Sequence, residues 1–408
     1  MRDVVITGIG VILNNCDRKE TFWKHVREGK SQLELESWPD VSDQPVVTGR
    51  VHNFTPEKYL GEIPESRYKR YPLELQMYLA SVFMARDDAG LKLDGIDPER
   101  IGLFDSSSRP GQQFVTEQIG RTDLRQVCNT VSIVETSPGM TVGFAASLLK
   151  TRGPAFLIYA ACSGGAVAIG AALREIQDGE IDVALTTGHE NPVHRVALLQ
   201  YSHESRLQSQ EREDATRAIK PFSKHGTVLG EGAITLALEA REHAEKRGAN
   251  IIASVKGLGY GNNGGHVMRP DVEGVRPAEV INKLLRKSGV SADEVDFVIA
   301  HGNGVDMSDR SEQKMMRLVF GGRSKDVPLV SNKPIYGHLL GASSALNAAQ
   351  AAIMLKEQFI APTINVDEDN VPPDINHQAN RGAPKKCKYG LAVSFGMGGH
   401  NGVVLLGK

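Results

Sequence analysis

Four residues in this chain could do nucleophilic chemistry together: Cys162, His301, His338 and Lys333. Cys162 ends an apolar run and is followed by Ser163-Gly164-Gly165; His301 and Gly302 end a second run; Gly337-His338 closes a third, shortly after Lys333. A thiol with two imidazoles suits acyl transfer through a thioester, the imidazoles polarising or protonating the reacting carbonyl. Each residue alone has a plainer meaning. A cysteine among small residues is more often a small buried hydrophobe, and a histidine before glycine is more often structural. The chemistry is carried by their shared position just after strand ends.

Ala155–Tyr159 is apolar and β-like, and after Cys162 the residues Ala166, Ile169, Leu173 and Ile176 form a helical stripe that ends at Asp178-Gly179. The cysteine therefore stands at a strand-to-helix corner. Unpaired first-turn amides and the helix dipole there predict a thiol that ionises more readily than a free cysteine. A strand over 181–188 follows, giving strand, helix, strand, the signature of a parallel βαβ unit whose sites lie at the carboxyl ends of strands. In the second half, a capping-box pattern at Ser291–Glu294 precedes the strand Phe297–Ala300 that leads to His301. Pro328–Asn332 reads as a strand end, Ala342–Lys356 as an alanine-rich helix, and 389–394 and 403–406 as strands flanking a glycine-rich loop. Two similar halves follow from this alternation, 1–249 with the cysteine and 250–408 with the histidines and the loop.

Composition excludes several classes. The chain has 408 residues, 40% hydrophobic and 24% charged, with a formal net charge of −2, so there is no basic excess for nucleic acid or anionic membranes. No uninterrupted apolar span reaches membrane length, and the N-terminus lacks a secretory apolar core, so a cytoplasmic location is expected. Cys16, Cys128, Cys162 and Cys387 are scattered without C-x-x-C spacing, and no His-x-x-x-His pair is present, so neither a disulfide framework nor a zinc site is expected. Val4–Gly10 runs into glycines without the G-x-G-x-x-G spacing of a nucleotide site. No cofactor and no metal are expected. The Glu- and Arg-rich stretch 202–217 reads as a surface loop.

Several separated motifs then carry a family resemblance. Ala161-Cys162-Ser163-Gly164-Gly165, Pro221-Phe222 with Leu229-Gly230-Glu231-Gly232, Ala300-His301-Gly302, Ser331-Asn332-Lys333 with Gly337–Ala342, Pro362–Asn365, and Ser394–Asn401 come in the order and spacing of the β-ketoacyl-acyl-carrier-protein synthases. The chain resembles their elongating Cys-His-His branch, of fatty acid and type II polyketide assembly. The resemblance implies an α/β thiolase-type fold, two βαβ-rich halves in five layers, α-β-α-β-α, assembled as a dimer. It also implies roles. Cys162 would take the acyl chain from a carrier protein; His301 and His338 would stabilise the enolate left when the malonyl extender loses CO2; Lys333 would position them. The amides of Cys162 and Phe395 would form the oxyanion hole. Met397 matches a position gating the acyl pocket, Asp309 an acidic position of structural role, and Glu231 lies in a further motif, in the shell behind the site.

The departures are informative. Where the family has Gly-Thr-x-Thr, its hydroxyls holding the phosphopantetheine arm, this chain has Asn303 and Val305; valine has no hydrogen bond to offer. Asn347 stands where a glutamate is common, which removes a buried ionisable group beside the lysine, and Ser223 replaces an aspartate. These changes imply a specialised enzyme. The expected partners are an acyl carrier protein bearing phosphopantetheine-linked acyl and malonyl groups, and a second copy or a homologous ketosynthase-like subunit. A degradative thiolase would need a second cysteine in the C-terminal glycine loop, which is absent. A non-catalytic chain-length subunit would lack the nucleophile, which is present.

Overall fold

Val4–Ile12, Val183–Glu190 and Gly232–Ala240 are buried at every residue, as strands must be when both faces of their sheet are covered. The computed structural model describes residues 1–118, 133, 137, 139–203, 209–223 and 226–408; Cys128, Lys224, His225 and part of the charged stretch 202–217 lie outside these. Ten strands of the described residues form one sheet: β1 Val4–Ile12, β2 Ile101–Ser106, β3 Ala155–Ile158, β4 Val183–Glu190, β5 Gly232–Ala240, β6 Ala253–Asn262, β7 Val295–Ile299, β8 Leu329–Val330, β9 Tyr389–Gly396 and β10 His400–Gly407. Their order is β8-β7-β9-β10-β6-β1-β5-β4-β2-β3.

Two runs of five strands within this order share one pattern. In each, three parallel strands, β3-β2-β4 or β8-β7-β9, lead to an antiparallel pair, β5-β1 or β10-β6. The halves are not separate sheets at the backbone: Val4–Ile6 of β1 pairs antiparallel with Ala253–Val255 of β6. The βαβ unit around Cys162 is formed with β3 and β4 as the two parallel neighbours of β2.

Helix α1 (Leu73–Asp88) covers the first half-sheet on one side, and α3 (Val275–Ser288), with α4 (Asp306–Phe320) beside it, covers the second on the other. Between the half-sheets lie α2 (Gly164–Asp178) and α5 (Ser343–Glu357), which touch strands of both, completing the five layers. The two central helices meet closely. A Cβ at Gly165 would stand 2.7 Å from the Ala345 amide nitrogen, so glycine is required at this crossing. Every residue of α5 from Ser343 to Leu355 is buried, so its polar members must find partners inside the protein. Those partners build the site.

Candidate active site

Cys162 sits where β3 gives way to α2, in a single 3-10 turn over Ala161–Ser163. Ala161 carries φ +46° and Leu340, just past His338, φ +42°, a left-handed backbone that non-glycine residues rarely adopt. Such strain gathers at functional sites, where the surrounding fold imposes it. It turns the Cys162 sulfur to within 3.1 Å of Nε2 of His338. The backbone amides of Cys162 and Met397 also reach the sulfur.

The thiol does not have the lowered pKa expected from the helix N-terminus. Burial, reinforced by the Glu190 carboxylate and only partly opposed by Lys333, pushes it up to about 12. The helix end is also occupied elsewhere, since the Ala166 amide donates to Oγ of Ser344 at 2.9 Å. Glu190 is fixed beneath the site, accepting from Ser107 (2.7 Å) and from the Gly341 amide (3.0 Å). Desolvation therefore outweighs the dipole, and the resting nucleophile is a neutral thiol ringed by N–H groups.

His301 and His338 come from different strands' ends and meet edge to face, with centroids 5.1 Å apart. Burial lowers both pKa values, that of His338 to about 3, and the Lys333 charge pushes in the same direction. Both are neutral imidazoles at physiological pH. The Phe395 amide donates to Nδ1 of His301 at 3.4 Å, which leaves the proton of that ring on Nε2. This bears on the expected oxyanion hole: the Phe395 amide is turned to the histidine, and it is Met397, two residues on, whose amide joins that of Cys162 at the sulfur.

Glu312 and Asp309 hold the His301 loop from below. Glu312 accepts the amides of His301 and Gly302, each at 2.6 Å, and burial raises its carboxyl to about 7. Asp309 accepts the Phe222 amide at 2.5 Å and also the Gly304 amide. Glu231 is likewise buried, accepting the Val51 amide at 2.9 Å.

Lys333 is completely buried, on a short helical turn. Its Nζ donates to Oδ1 of Asn332 (3.0 Å) and of Asn347 (3.3 Å). Burial lowers its pKa to about 8, with Glu312 the main opposing charge. Asn347 is thus not a gap in the site. Its Nδ2 donates to the carbonyls of Ala300 (3.0 Å) and Val393 (2.9 Å), while Asn332 donates to its Oδ1 (3.0 Å) and to Gln350 (2.9 Å). A neutral amide lattice stands where the resembling family commonly has a carboxylate, and the negative charge acting on the lysine comes from Glu312 instead.

A cleft of about 640 Å³ runs to Cys162 and is lined by His301, His338, Asn303, Val305, Thr227 and Met397, among others. Asn303 spends its Oδ1 on the Val305 amide (3.1 Å). Thr227 lies on the neighbouring segment, where the Gly226 amide donates to the Gly304 carbonyl (2.8 Å), and its buried Oγ1 has no partner among the described residues. Sequence reasoning missed Glu312, Thr227, Glu190 and Ser343. Glu312 reads as a solvent-facing charge on an amphipathic helix. Thr227 is an unremarked hydroxyl until its missing partner is seen.

The family model described as β-ketoacyl synthase, N-terminal domain, matches residues 1–244, and that of the β-ketoacyl synthase C-terminal domain matches 252–367. The chain is 28% identical over 411 residues to a 3-oxoacyl-[acyl-carrier-protein] synthase 2 of Staphylococcus aureus, covering 99% of this chain and 98% of that one. It is 30% identical over 414 residues to nodulation protein E of Rhizobium sp. (strain N33), with the same coverage. Among solved structures, it is similar to a type II polyketide ketosynthase bound to the hexaketide, in complex with its acyl-carrier protein (TM-score 0.88, 26% identity, covering 100% of this chain and 99% of that one). It is as close to the ishigamide ketosynthase/chain length factor (TM-score 0.88, 27% identity, covering 100% and 99%).

Proposed function

The chain belongs to the β-ketoacyl synthase family, and from that premise we propose how its residues carry out a decarboxylative Claisen condensation that yields a β-ketoacyl-acyl-carrier protein. The observation that carries the reading is the convergence of one thiol and two neutral imidazoles in one cleft, with Cys162 Sγ 3.1 Å from His338 Nε2.

In the loading step the sulfur attacks the acyl thioester, the S–H bond breaks, and the proton leaves with the departing carrier thiol. Because the thiol is not ionised at rest, activation is deferred to the transition state, where the Cys162 and Met397 amides stabilise the developing oxyanion. In the second step a malonyl thioester enters. Its C–C bond to the carboxylate breaks, CO2 leaves, and the electron pair becomes an enolate whose oxygen faces His301 and His338. The enolate carbon then attacks the Cys162 thioester, expelling the cysteine thiolate. Lys333 adds its positive charge to burial in favouring neutral imidazoles and, while charged, polarises them toward the enolate oxygen.

The arm that delivers these groups is phosphopantetheine on a carrier protein, and its amides are the natural partner of the unsatisfied Thr227 hydroxyl. That hydroxyl takes the place of the one missing at Val305. The second subunit, a copy or a homologous ketosynthase-like chain, is read from β3, the edge strand among the described residues, where Phe156 and, just past the strand, Tyr159 are each half-exposed. A chain-length-factor role without activity is disfavoured by the intact nucleophile. A cytoplasmic setting fits this reading, and no helix of the described residues is long and apolar enough to cross a membrane.

The test is incubation with acyl- and malonyl-carrier thioesters. An acyl mass adduct that vanishes in Cys162→Ala, with release of CO2, is expected. No adduct and no CO2 from wild type supplied with its native carriers and partner would leave the non-catalytic reading in its place. Light scattering should give a dimer mass, alone or with a homologous subunit.

A further inference from the structure

The two imidazoles differ in what faces their Nδ1 atoms. His301 meets a backbone amide, which can only donate. His338 meets the hydroxyl of Ser343, at 3.0 Å. A hydroxyl both donates and accepts, so this contact does not by itself say which ring nitrogen carries the proton.

The surroundings of Ser343 decide it. The residue is fully buried at the first position of α5, and Nδ1 of His338 is the only hydrogen-bond partner of its hydroxyl among the described residues. An O–H buried without an acceptor is costly, so the hydroxyl must donate to Nδ1. Nδ1 is then the acceptor, and the ring proton sits on Nε2, pointing at the sulfur and into the cleft. We propose that Ser343 is the positioning residue that fixes His338 as an Nε2–H donor, performing with a side chain the task the Phe395 amide performs for His301.

Two consequences separate this from a merely structural serine. His338 is a donor to the sulfur, not the base that takes the Cys162 proton. Both imidazoles also present N–H groups to the same side, so an arriving thioester oxygen meets two donors without any proton being rearranged. The second consequence rests on the ketosynthase reading; the tautomer itself does not.

The deciding experiment uses full-length enzyme labelled with ¹⁵N-histidine, the His338 signals being assigned by their loss in His338→Ala. Long-range ¹H–¹⁵N spectra should show wild-type His338 protonated on Nε2, and Ser343→Ala should show a mixture of tautomers. In parallel, Ser343→Ala should slow CO2 release from malonyl-carrier roughly tenfold while changing acyl loading of Cys162 by less than about twofold, the hydrogen bond acting only on the donor step. Ser343→Thr, which keeps the hydroxyl, should restore the wild-type tautomer. A wild-type His338 protonated on Nδ1 overturns the proposal, as does an unchanged tautomer in Ser343→Ala. Equal losses in loading and CO2 release also overturn it. If wild type releases no CO2 from malonyl-carrier, the ketosynthase reading fails, while the spectra still decide the tautomer.

Discussion

The planes of His301 and His338 stand 86° apart, so one ring presents its edge to the face of the other. Neutral rings adopt this contact comfortably, whereas two imidazolium ions at the same separation would repel. Their lowered pKa values and the nearby Lys333 charge agree with that reading. A pair of this kind can donate hydrogen bonds without holding charge.

Cys162 should therefore behave as a high-pKa thiol. Its alkylation by iodoacetamide should be slow at neutral pH and keep rising with pH beyond 9, because the thiol titrates at about 12. Intact-mass kinetics across a pH series measure this directly. A rate that levels off below pH 8 would restore the activated-thiolate picture.

Lys333 should set the alkaline limb of the condensation half-reaction. Its pKa of about 8 lies below its ordinary value of 10.5, so the ammonium is present below that pH and is lost as pH rises through it. CO2 release from malonyl-carrier should fall above pH 8. Lys333→Met, which fills the same space without charge, should flatten that limb and lower the rate roughly 10- to 100-fold. A profile in Lys333→Met that still turns down near pH 8 would assign the limb to another group.

Replacing Asn347 with a carboxylate should harm the protein rather than improve it. In Asn347→Asp, an oxygen that can only accept would face the Ala300 and Val393 carbonyls, to which Nδ2 now donates. A loss of roughly 1–3 kcal/mol is expected for these unsatisfied groups. Urea denaturation compares the two chains. A variant as stable as wild type would mean that the pairing with Lys333 compensates in full.

Thr227→Val removes one hydroxyl at nearly constant volume. With a carrier-bound malonyl group KM should rise roughly fivefold, equivalent to ~1 kcal/mol, with little change in kcat. Val305→Thr in the variant should recover part of the loss, since the two positions line the same cleft. If Thr227→Val instead discriminates between 3-oxoacyl and alkyl donors and leaves malonyl KM alone, the hydroxyl serves the acyl chain.

The sequence reading put Cys162, His301 and His338 just after strand ends because strand ends, glycines and the apolar stripe after Cys162 obey local rules. The capping box at Ser291 and the left-handed Gly179 after α2 are present where the residues place them. What it could not supply depends on burial. The thiol's pKa follows from desolvation beside Glu190, which lies 28 residues away, and the choice between the Phe395 and Met397 amides follows from the path of one loop. Asn347 is a missing charge in one dimension and a saturated hydrogen-bonding centre in three. Sequence spacing carries position well, and solvation poorly.

The continuous sheet has a consequence for recombining such chains. Val4–Ile6 is hydrogen-bonded on one side to Leu238–Ala240 and on the other to Ala253–Val255, and α5 of the second half packs on β4 and β5 of the first. A chimaera spliced near residue 250 would have to re-form a three-strand seam and both faces of a helix buried from Ser343 to Leu355 at once. Change in this scaffold is accordingly open to single cleft-lining residues and closed to the swapping of halves.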